Sequence, residues 1–379
     1  MKEREYDLAV IGGGLFGCYA ALFLAGKGKR VILIEKEKDL LRKASLVNQA
    51  RLHAGYHYPR SVATALMSDD HKERFASEHR AFVNSDFEQY YAIDRHASFT
   101  DPIQFERFCD HIGLEYQRVQ RHDHFNFDRL EALYLTREET FDPVLIGGYY
   151  RQQITANQQI DTRISTYISQ VIAMDDHWQV QLISEQSTTA ELIRTTQVIN
   201  ATYAGSNAVN QLFGVSQLEL LYEISEIALV TSPQIKNLGL TVMDGPFASL
   251  MPYGYSGLLS LSSVAYTHHK VSHHRLPTFD CQSKHPDCRP EYTANCTDCN
   301  LHPASNYHKM LRQIAMYFQP EVEFRYFSSL YTIKSKLKAN HIDDGRLTEI
   351  SILRENPRFY CIFAGKINSI YEIEKVIRL

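Results

Sequence analysis

The sequence predicts an α/β fold with two parts, a parallel sheet with helices and a second α+β region built on an antiparallel sheet. At 379 residues the chain is long for a single hydrophobic core, and its 44% apolar and 22% charged content is that of a globular protein. Near the N-terminus two apolar runs flank a glycine turn and a helical pattern, whereas residues 220–265 alternate apolar and polar side chains between glycines. The first pattern favours parallel strands and the second favours an antiparallel sheet.

The N-terminal elements come in the order strand, helix, strand. Residues 6–11 form an apolar run with the length of a buried strand, and a helical pattern follows over residues 15–27. A second apolar run occupies residues 30–35. This order predicts a βαβ unit, in which the helix connects two parallel strands.

The turn between the first strand and the helix carries three spaced glycines, Gly12, Gly14 and Gly17. In a dinucleotide-binding turn the first glycine permits the tight bend, the second lets the backbone approach a pyrophosphate, and the third lets the helix pack against the strand. The first helical residues, Leu15 and Phe16, would present free backbone amides to the phosphates. The spacing predicts a Rossmann-like dinucleotide-binding domain.

Glu35 ends the second predicted strand, and Lys36 follows it. A carboxylate at this place accepts hydrogen bonds from the ribose hydroxyls of the dinucleotide. FAD and NAD share this arrangement, so the glycine turn and Glu35 leave the choice between them open.

Residues 45–60 resemble a segment of FAD-dependent oxidoreductases of the D-amino-acid oxidase type, which oxidise carbons bearing an amine or a hydroxyl. In that family the segment runs past the flavin, and His53-Ala54-Gly55 matches its core of histidine, small residue and glycine. Residues 139–143, 198–202 and the C-terminal turn 364–368 resemble further segments of the family in the same order. The resemblance implies an FAD-dependent oxidoreductase acting on a small-molecule substrate.

The glycine turn and the resemblance together give a set of predicted cofactor-binding residues. These are Gly12, Gly14, Leu15, Phe16, Gly17, Glu35, Lys36, Arg51, Leu52, His53, Val171, Ala201, Thr202, Gly365, Lys366, Ile367 and Asn368. Two positions depart from the family pattern: Tyr203 stands where a glycine normally follows the strand, and Gly365 is a single glycine where relatives have a glycine-histidine-rich turn.

The predicted catalytic residues are His53, His57, Arg51 and Lys366. The resemblance places His53 beside the flavin ring as a base, a hydrogen-bond donor or a covalent attachment point; a buried histidine bonded to the backbone is the alternative. Ser369 and Glu372 have the spacing of a capping box, which predicts a helix starting there and aimed, with Lys366, at the flavin.

An anionic substrate is also predicted, because a bidentate arginine fixes a carboxylate in one orientation and because family members often oxidise 2-amino or 2-hydroxy acids. The candidate anchors are Arg51, Arg60 and Arg346. Each of them has the alternative of pairing with an FAD phosphate or with a surface carboxylate. An NAD-dependent oxidoreductase and a non-catalytic FAD-binding protein remain alternative functions.

The chain is predicted to divide discontinuously between the two parts. Helices are predicted after Pro102 and, with Asp142 as cap, from Pro143 to Asn157. Strands are predicted at 159–168, 170–174, 177–183 and 192–200. The FAD-binding domain would comprise residues 1–65, 131–210 and 330–379, and the substrate domain residues 66–130 and 211–329 with a cysteine-rich loop at 281–299.

Four of the seven cysteines crowd into that loop: Cys281, Cys288, Cys296 and Cys299. Four thiolates in such a loop match the ligand set of a structural zinc ion, and the same cysteines are compatible with free or buried thiols or with disulfide or redox pairing. A catalytic metal is not expected, because four thiolates leave no open coordination position.

The net charge of −4 gives no basic footprint for nucleic acid or for an anionic membrane surface. A secretory signal is rejected because glycines break the N-terminal apolar run, and Glu3, Glu5 and Asp7 exclude a transit peptide. No run has the roughly 18–20 apolar residues of a membrane helix. A cytoplasmic location follows as an expectation, while the oligomeric state is left open.

Overall fold

The computed structural model describes residues 3–60, 62, 65–66, 71–187, 190–245, 247–338 and 348–377. Within these residues the strands form sheets of eight, nine and three strands. In chain order the strands β1 to β20 are Arg4–Ile11, Val31–Ile34, Arg51–Leu52, Val83–Asn84, Glu88–Asp94, Tyr116–Arg118, Leu130–Thr136, Glu139–Phe141, Ile160–Arg163, Thr166–Ala173, Trp178–Ser184, Glu191–Asn200, Leu220–Thr231, Leu238–Met243, Ala248–Pro252, Leu259–Ser263, His268–Ser272, Arg325–Leu337, Glu349–Arg354 and Arg358–Phe363. The α-helices are Leu15–Gly26, Lys72–Glu78, Pro102–Ile112, Pro143–Ala156, Ser206–Leu212, Tyr307–Ala315 and Glu372–Val376.

The first sheet is parallel at its centre and confirms the predicted βαβ unit. Strands β9, β2, β1 and β12 lie side by side in this order, all parallel. The far edge of β12 is shared: its first half pairs with the antiparallel strand β11, and its second half pairs in parallel with β20. The carboxyl ends of β1 and β12 therefore meet at one edge of the sheet, where Rossmann-like folds bind their ligand.

The Leu15–Gly26 helix forms because its apolar residues cover nearly the whole surface, and most of them are buried. It packs against the Pro143–Ala156 helix and against the sheet. The second of these helices is capped as predicted, since the Asp142 carboxylate accepts from the amides of Val144 and Leu145. The Pro102–Ile112 helix starts at a capping box formed by Asp101.

The second sheet contains the antiparallel strands predicted for residues 220–265. Its long strand β13 pairs with β18 along one edge and with β16 and β17 along the other, all antiparallel. Strands β16, β15 and β14 continue the antiparallel order, and β14 then pairs in parallel with β5. The fold is thus a parallel nucleotide-binding sheet joined to a larger, mainly antiparallel sheet.

Sheet membership differs from the predicted division at two places. Strand β7 pairs with β5 and therefore belongs to the second sheet, although residues 131–210 were assigned to the first part. Strand β18 likewise pairs along its length with β13, so residues 330–337 belong to the second sheet. Both strands have the apolar content of either sheet, and only their pairing partners decide the assignment.

Two local predictions are also revised. A 3-10 turn spans Ile367–Tyr371 and the helix begins only at Glu372, because the Ser369 hydroxyl donates to the Lys366 carbonyl at 2.6 Å instead of capping the helix. The predicted strand over 159–168 is interrupted, since Ser165 has a positive φ of 47°. Within the described residues no helix is long and apolar enough to cross a membrane.

Candidate cofactor and active site

Gly12 and Gly17 are packing glycines of the predicted turn. Gly12 has a φ of 101°, and a Cβ added to it would lie 2.8 Å from the carbonyl oxygen of Ala201 at the end of β12. A Cβ on Gly17 would lie 1.8 Å from the carbonyl oxygen of Gly12. Both positions require glycine because the helix, β1 and β12 meet there.

Gly14 has a different environment, since a Cβ added there would approach only the Ser45 hydroxyl, at 3.3 Å. The same hydroxyl accepts a hydrogen bond of 2.9 Å from the amide of Leu15, the first residue of the helix. A longer side chain at Gly14 would extend into open space in front of the turn. This is the cradle that a pyrophosphate requires.

Two cavities open on either side of this turn. The cavity on the side of Glu35, here the Glu35 cavity, has a volume of about 210 Å³, and the cavity on the side of His53, here the His53 cavity, has about 220 Å³. Their shared wall is formed by Gly14, Ala44, Ser45, Ala201 and Tyr203. The two cavities therefore meet at the glycine turn, as the two halves of a dinucleotide do at their pyrophosphate.

Glu35 stands at the end of β2 with both carboxylate oxygens engaged by the backbone. The amide of Gly13 donates to Oε2 at 2.6 Å and the amide of Glu37 donates to Oε1 at 2.8 Å. Burial raises the pKa of Glu35, although these amides and the nearby Lys43 oppose the shift. A carboxylate oxygen can accept more than one hydrogen bond, so Glu35, which lines the cavity, can still accept from a ribose hydroxyl.

Lys36 also lines the Glu35 cavity, but its ammonium group turns to the cysteine-rich segment. It donates to the carbonyl of Thr293 and lies 4.5 Å from the ring centroid of Tyr292. Burial lowers the pKa of Lys36 well below its usual value. The predicted cofactor-binding residue thus contacts another segment of the chain.

Arg51 is buried and lies beside the second sheet. Its Nη1 donates to the hydroxyl of Tyr91 at 2.6 Å, and its Nη2 donates to Thr241 and Ser249 at 2.7 Å each. The carboxylate of Glu138 lies 3.3 Å from Nη1, and both side chains of this ion pair are withdrawn from water. Both terminal nitrogens of Arg51 are therefore bonded to the protein, while its buried Nε has no hydrogen-bond partner among the described residues.

His53, Tyr58 and Lys366 line the His53 cavity together. The Lys366 ammonium group lies 4.2 Å from the ring centroid of Tyr58, and the rings of His53 and Tyr58 are 5.7 Å apart. His57 stands behind them, with its ring 6.0 Å from that of His53. The predicted catalytic histidine and lysine are thus brought to one cavity from distant parts of the chain.

Most predicted cofactor residues line one of the two cavities: Gly12, Gly14, Leu15, Phe16, Glu35, Lys36, Arg51, His53, Ala201, Thr202, Gly365, Lys366 and Ile367. Leu52, Gly17, Val171 and Asn368 are not in either wall. Leu52 points away from Arg51 into the core because side chains alternate along a strand. Val171 lies beyond a bulge in β10, and the cavity is lined by Ile168 from the same strand.

Tyr203, the departure from the family pattern, has a positive φ of 54° and so takes a backbone conformation that glycine adopts more readily. Its hydroxyl donates to the carbonyl of Ser335 at 3.0 Å and accepts from the amide of the same residue. Leu41 and Ala50, also with positive φ, line the Glu35 and His53 cavities respectively. Strained backbone of this kind is frequent at ligand sites.

Several cavity residues were not predicted from the sequence, among them Ser45, Tyr203, Lys334 and residues 291–294. Ser45 lies within the family segment, and its position as a hydroxyl residue in that segment is the one signal in the sequence that points to it. Lys334 lies on β18, and nothing in its local sequence points to a cavity.

The cysteine-rich segment brings its four cysteines together. With His285 and His302 they line a small cavity of about 20 Å³. Burial raises the pKa of the Cys296 thiol to about 12, and repulsion from the other three thiols adds to the shift. Among the described residues, no group of three or more histidine, cysteine, aspartate or glutamate side chains is arranged to hold a metal ion.

Of the other predicted substrate anchors, Arg60 bonds Asp244 through its Nε at 2.7 and 2.9 Å near the surface. This matches the alternative of a surface ion pair. Arg346 lies outside the described residues.

A parallel sheet with a glycine turn, two cavities joined at that turn and a carboxylate at the end of the second strand define an enzyme of the dinucleotide-dependent oxidoreductase class. A sequence model of the FAD dependent oxidoreductase (DAO) family matches residues 7–280, and the chain belongs to this family. The match decides between the two dinucleotides in favour of FAD, as the resemblance of residues 45–60 indicated.

Known proteins of this family agree with the assignment. The FAD-dependent monooxygenase FPY4 of Fusarium mangiferae is 24% identical over 97% of this chain and 89% of its own length. The FAD-bound L-alpha-glycerophosphate oxidase of Mycoplasma pneumoniae has a TM-score of 0.71 at 13% identity, covering 99% of this chain and 94% of that one. Glycine oxidase of Geobacillus kaustophilus has a TM-score of 0.69 at 15% identity, covering 98% and 92%. These structures share the fold.

Proposed function

We propose that the chain oxidises a carbon bearing an amine or a hydroxyl in a small carboxylate-containing molecule. FAD spans the two cavities, with its adenosine on the Glu35 side and its flavin on the His53 side. When bound, FAD supplies the acceptor for the hydride that leaves the substrate. The remaining tasks, orienting the substrate and holding its proton, fall to the residues of the His53 cavity.

The observation that carries this proposal is the charge of that cavity. Its wall includes Lys334, Lys366 and Arg51, the last paired with the buried carboxylate of Glu138 at 3.3 Å, and among the described residues it includes no aspartate or glutamate. In a partly desolvated cavity such an excess of positive charge favours an anionic occupant. The terminal nitrogens of Arg51 are bonded to protein groups. The contacts proposed for a carboxylate are therefore Lys334 and Lys366, the other two cationic side chains of the wall.

His53 is the group best suited to take the proton of the substrate amine or hydroxyl. Imidazole is the most common general base in enzymes, and His53 lines the same cavity as the lysines. His57 acts through its neighbours, since it lies outside the cavity wall.

An anaerobic screen tests the substrate class. Holoenzyme is mixed with 2-hydroxy acids, 2-amino acids and their neutral amide or alcohol analogues, and bleaching of the flavin absorbance is recorded. Bleaching confined to the acids is expected. Bleaching only with neutral or cationic compounds would remove the anionic substrate and leave the family assignment in place. Lys334→Met should raise KM for the acid, whereas Lys309→Met, on the Tyr307–Ala315 helix, should not.

A monooxygenase is the second candidate, favoured by the alignment with FPY4 over nearly the whole chain. Such an enzyme needs an external reductant such as NADPH, whereas an oxidase or dehydrogenase takes its electrons from the substrate. Substrate-dependent consumption of NADPH and oxygen, without anaerobic bleaching by any compound of the screen, would favour this second function.

Three further predictions from the sequence stay proposals. Elemental analysis of untagged protein tests zinc at the cysteine cluster, and a metal content near zero would remove it. Cell fractionation tests the cytoplasmic location. Sedimentation with nucleic acid or with anionic vesicles tests the expectation that neither is a partner.

A further inference from the structure

The cysteine-rich segment begins where the family match ends. The match covers residues 7–280, and the four cysteines lie between residues 281 and 299. The segment therefore lies outside the part of the chain that the family model describes.

One stretch of the segment, residues 291–296, here called the lid, lies against the Glu35 cavity. Glu291, Tyr292, Thr293, Ala294 and Cys296 all belong to the wall of this cavity. Gly12, Gly14 and Glu35 from the dinucleotide-binding turn and strand line the same cavity. The lid therefore belongs to the half of the site that contains Glu35, and none of its residues lines the His53 cavity.

Two lysines connect the lid to the segment that follows strand β2. The ammonium groups of Lys36 and Lys43 both donate to the carbonyl oxygen of Thr293, Lys43 at 2.8 Å. Arg42 forms an ion pair of 2.8 Å with Asp298, just beyond the lid. All three cations come from residues 36–43, which follow Glu35, so the lid is fastened beside the carboxylate.

Tyr292 presents an aromatic ring to the cavity and is held in place on several sides. Its ring lies 4.5 Å from the Lys36 ammonium group and meets the ring of Tyr167 edge to face at 5.6 Å. Its hydroxyl donates to Glu185 at 2.8 Å. A fixed aromatic surface of this kind suits a flat heteroaromatic base.

The back of the lid is the wall of the cysteine cavity. Ala294 and Cys296 line both cavities, and the Ala294 amide donates to the Cys288 sulfur at 3.3 Å. The cysteine cluster thus supports the lid from behind while the lysines hold its front.

We propose that residues 291–296 are a lid for the adenosine half of FAD, with Tyr292 as the contact for adenine and Lys36 as its tether. The proposal concerns cofactor binding by the segment outside the family match. It is independent of which substrate the enzyme oxidises.

Binding of two ligands to the apoprotein tests the lid. FAD contains the adenosine, the pyrophosphate and the flavin, whereas ADP contains the adenosine and the pyrophosphate without the flavin. The dissociation constants of both are measured by calorimetry for the wild type, Tyr292→Ala and Lys36→Met. The controls are Tyr255→Ala, a half-exposed tyrosine whose hydroxyl also donates to the protein, and Lys309→Met, which removes another lysine-tyrosine contact.

Tyr292→Ala should raise the dissociation constant of FAD by about ten-fold, which is within the range of the free energy of base stacking on aromatic side chains. The dissociation constant of ADP should rise by a similar factor, because the lid would contact only the adenosine half, which the two ligands share. Lys36→Met should weaken both ligands in the same direction, and the two controls should leave both unchanged.

The proposal is overturned if the variants bind FAD more weakly but bind ADP as the wild type does. It is also overturned if the variants bind both ligands as the wild type does. If Tyr292→Ala does not fold, the same comparison with Lys36→Met decides. Because ADP binding needs no turnover, failure of the proposed substrate class would leave this test unaffected.

Discussion

Glu35 and Glu226 are two carboxylates with little exposure to solvent, and their pKa values are shifted from the ordinary value in opposite directions. At Glu35, beside its cavity, burial raises the pKa and two backbone amides compensate only in part. At Glu226, a fully buried residue of strand β13 in the second sheet, burial would also raise the pKa, but hydrogen bonds outweigh it and lower the pKa.

The donors around Glu226 explain the difference. His269 at 2.7 Å and the Asn306 amide at 2.9 Å donate to one oxygen, and the hydroxyls of Ser305 and Ser329 donate to the other. Glu226 is saturated by its own protein, whereas Glu35 retains an electrostatic cost that a ligand can relieve. A carboxylate left in this condition beside a cavity indicates a binding site, and a saturated one indicates a structural role.

The largest change in FAD binding is expected from a substitution in the glycine turn, where the Glu35 and His53 cavities meet. Gly14→Val should abolish FAD binding, because side-chain atoms beyond Cβ would fill the cradle that the pyrophosphate needs. Flavin content of the purified variant measures it. Gly148→Val, at an open position of the Pro143–Ala156 helix, should retain flavin. Full flavin occupancy in Gly14→Val would show that the turn is not the pyrophosphate site.

At the structural carboxylate, Glu226→Gln should lower the free energy of unfolding by about 3 kcal/mol, since the amide cannot satisfy all four donors and removes a buried charge partner. FAD affinity should be unchanged. Denaturant unfolding together with an FAD titration measures both. A loss of FAD affinity without a loss of stability would reverse the roles assigned to the two carboxylates.

Glu35→Gln should show the opposite pattern. FAD should bind about ten-fold more weakly, the equivalent of roughly 1.4 kcal/mol, because the amide is a poorer acceptor for ribose hydroxyls. Stability of the apoprotein should change by less than about 0.5 kcal/mol, since a desolvated charge is removed. A strongly destabilised Glu35→Gln with normal FAD affinity would contradict the comparison.

The pH dependence of unfolding sharpens the contrast. The folded-state pKa of Glu226 is lowered, so its stabilising contribution is present above the unfolded pKa of about 4.3 and is lost as pH falls through the folded value. The stability difference between the wild type and Glu226→Gln should therefore shrink towards low pH. Glu35 has a raised folded pKa, so its charge costs stability as pH rises above about 4.3, and Glu35→Gln should remove that cost. If the stability difference from the wild type changed with pH in the same way for both variants, the pKa values of Glu35 and Glu226 would not be shifted in opposite directions.

The smallest expected effect concerns Lys366 in the His53 cavity. Lys366→Met removes a buried positive charge and should lower the two-electron reduction potential of the bound flavin by about 30 mV, which corresponds to roughly 1.4 kcal/mol. Equilibration with reference dyes measures the potential, with Lys309→Met as control. An unchanged potential would place Lys366 away from the flavin.

The Glu35 side of the site could be predicted from the sequence because it is local. Gly12, Gly14, Gly17 and Glu35 fall within one βαβ unit, and the mechanical role of each follows from its spacing. The antiparallel strands of residues 220–265 were likewise visible in their alternation.

The remaining parts depend on contacts between distant segments. Lys334 reaches the His53 cavity because β18 pairs with β13, and β7 joins the second sheet because it pairs with β5. The fork of Arg51 was predicted to hold a substrate carboxylate, but Tyr91, Thr241 and Ser249 occupy it. Pairing partners of this kind leave no periodic signal in a single sequence.

Analysis of the cofactor in the purified wild-type protein decides whether the joined Glu35 and His53 cavities hold FAD. Protein is isolated with its flavin, the flavin is released by denaturation, and chromatography identifies it. FAD is expected in amounts equimolar with the chain, and flavin absorbance should be restored when apoprotein is given FAD. A folded protein that carries no flavin and takes up no added FAD would contradict it.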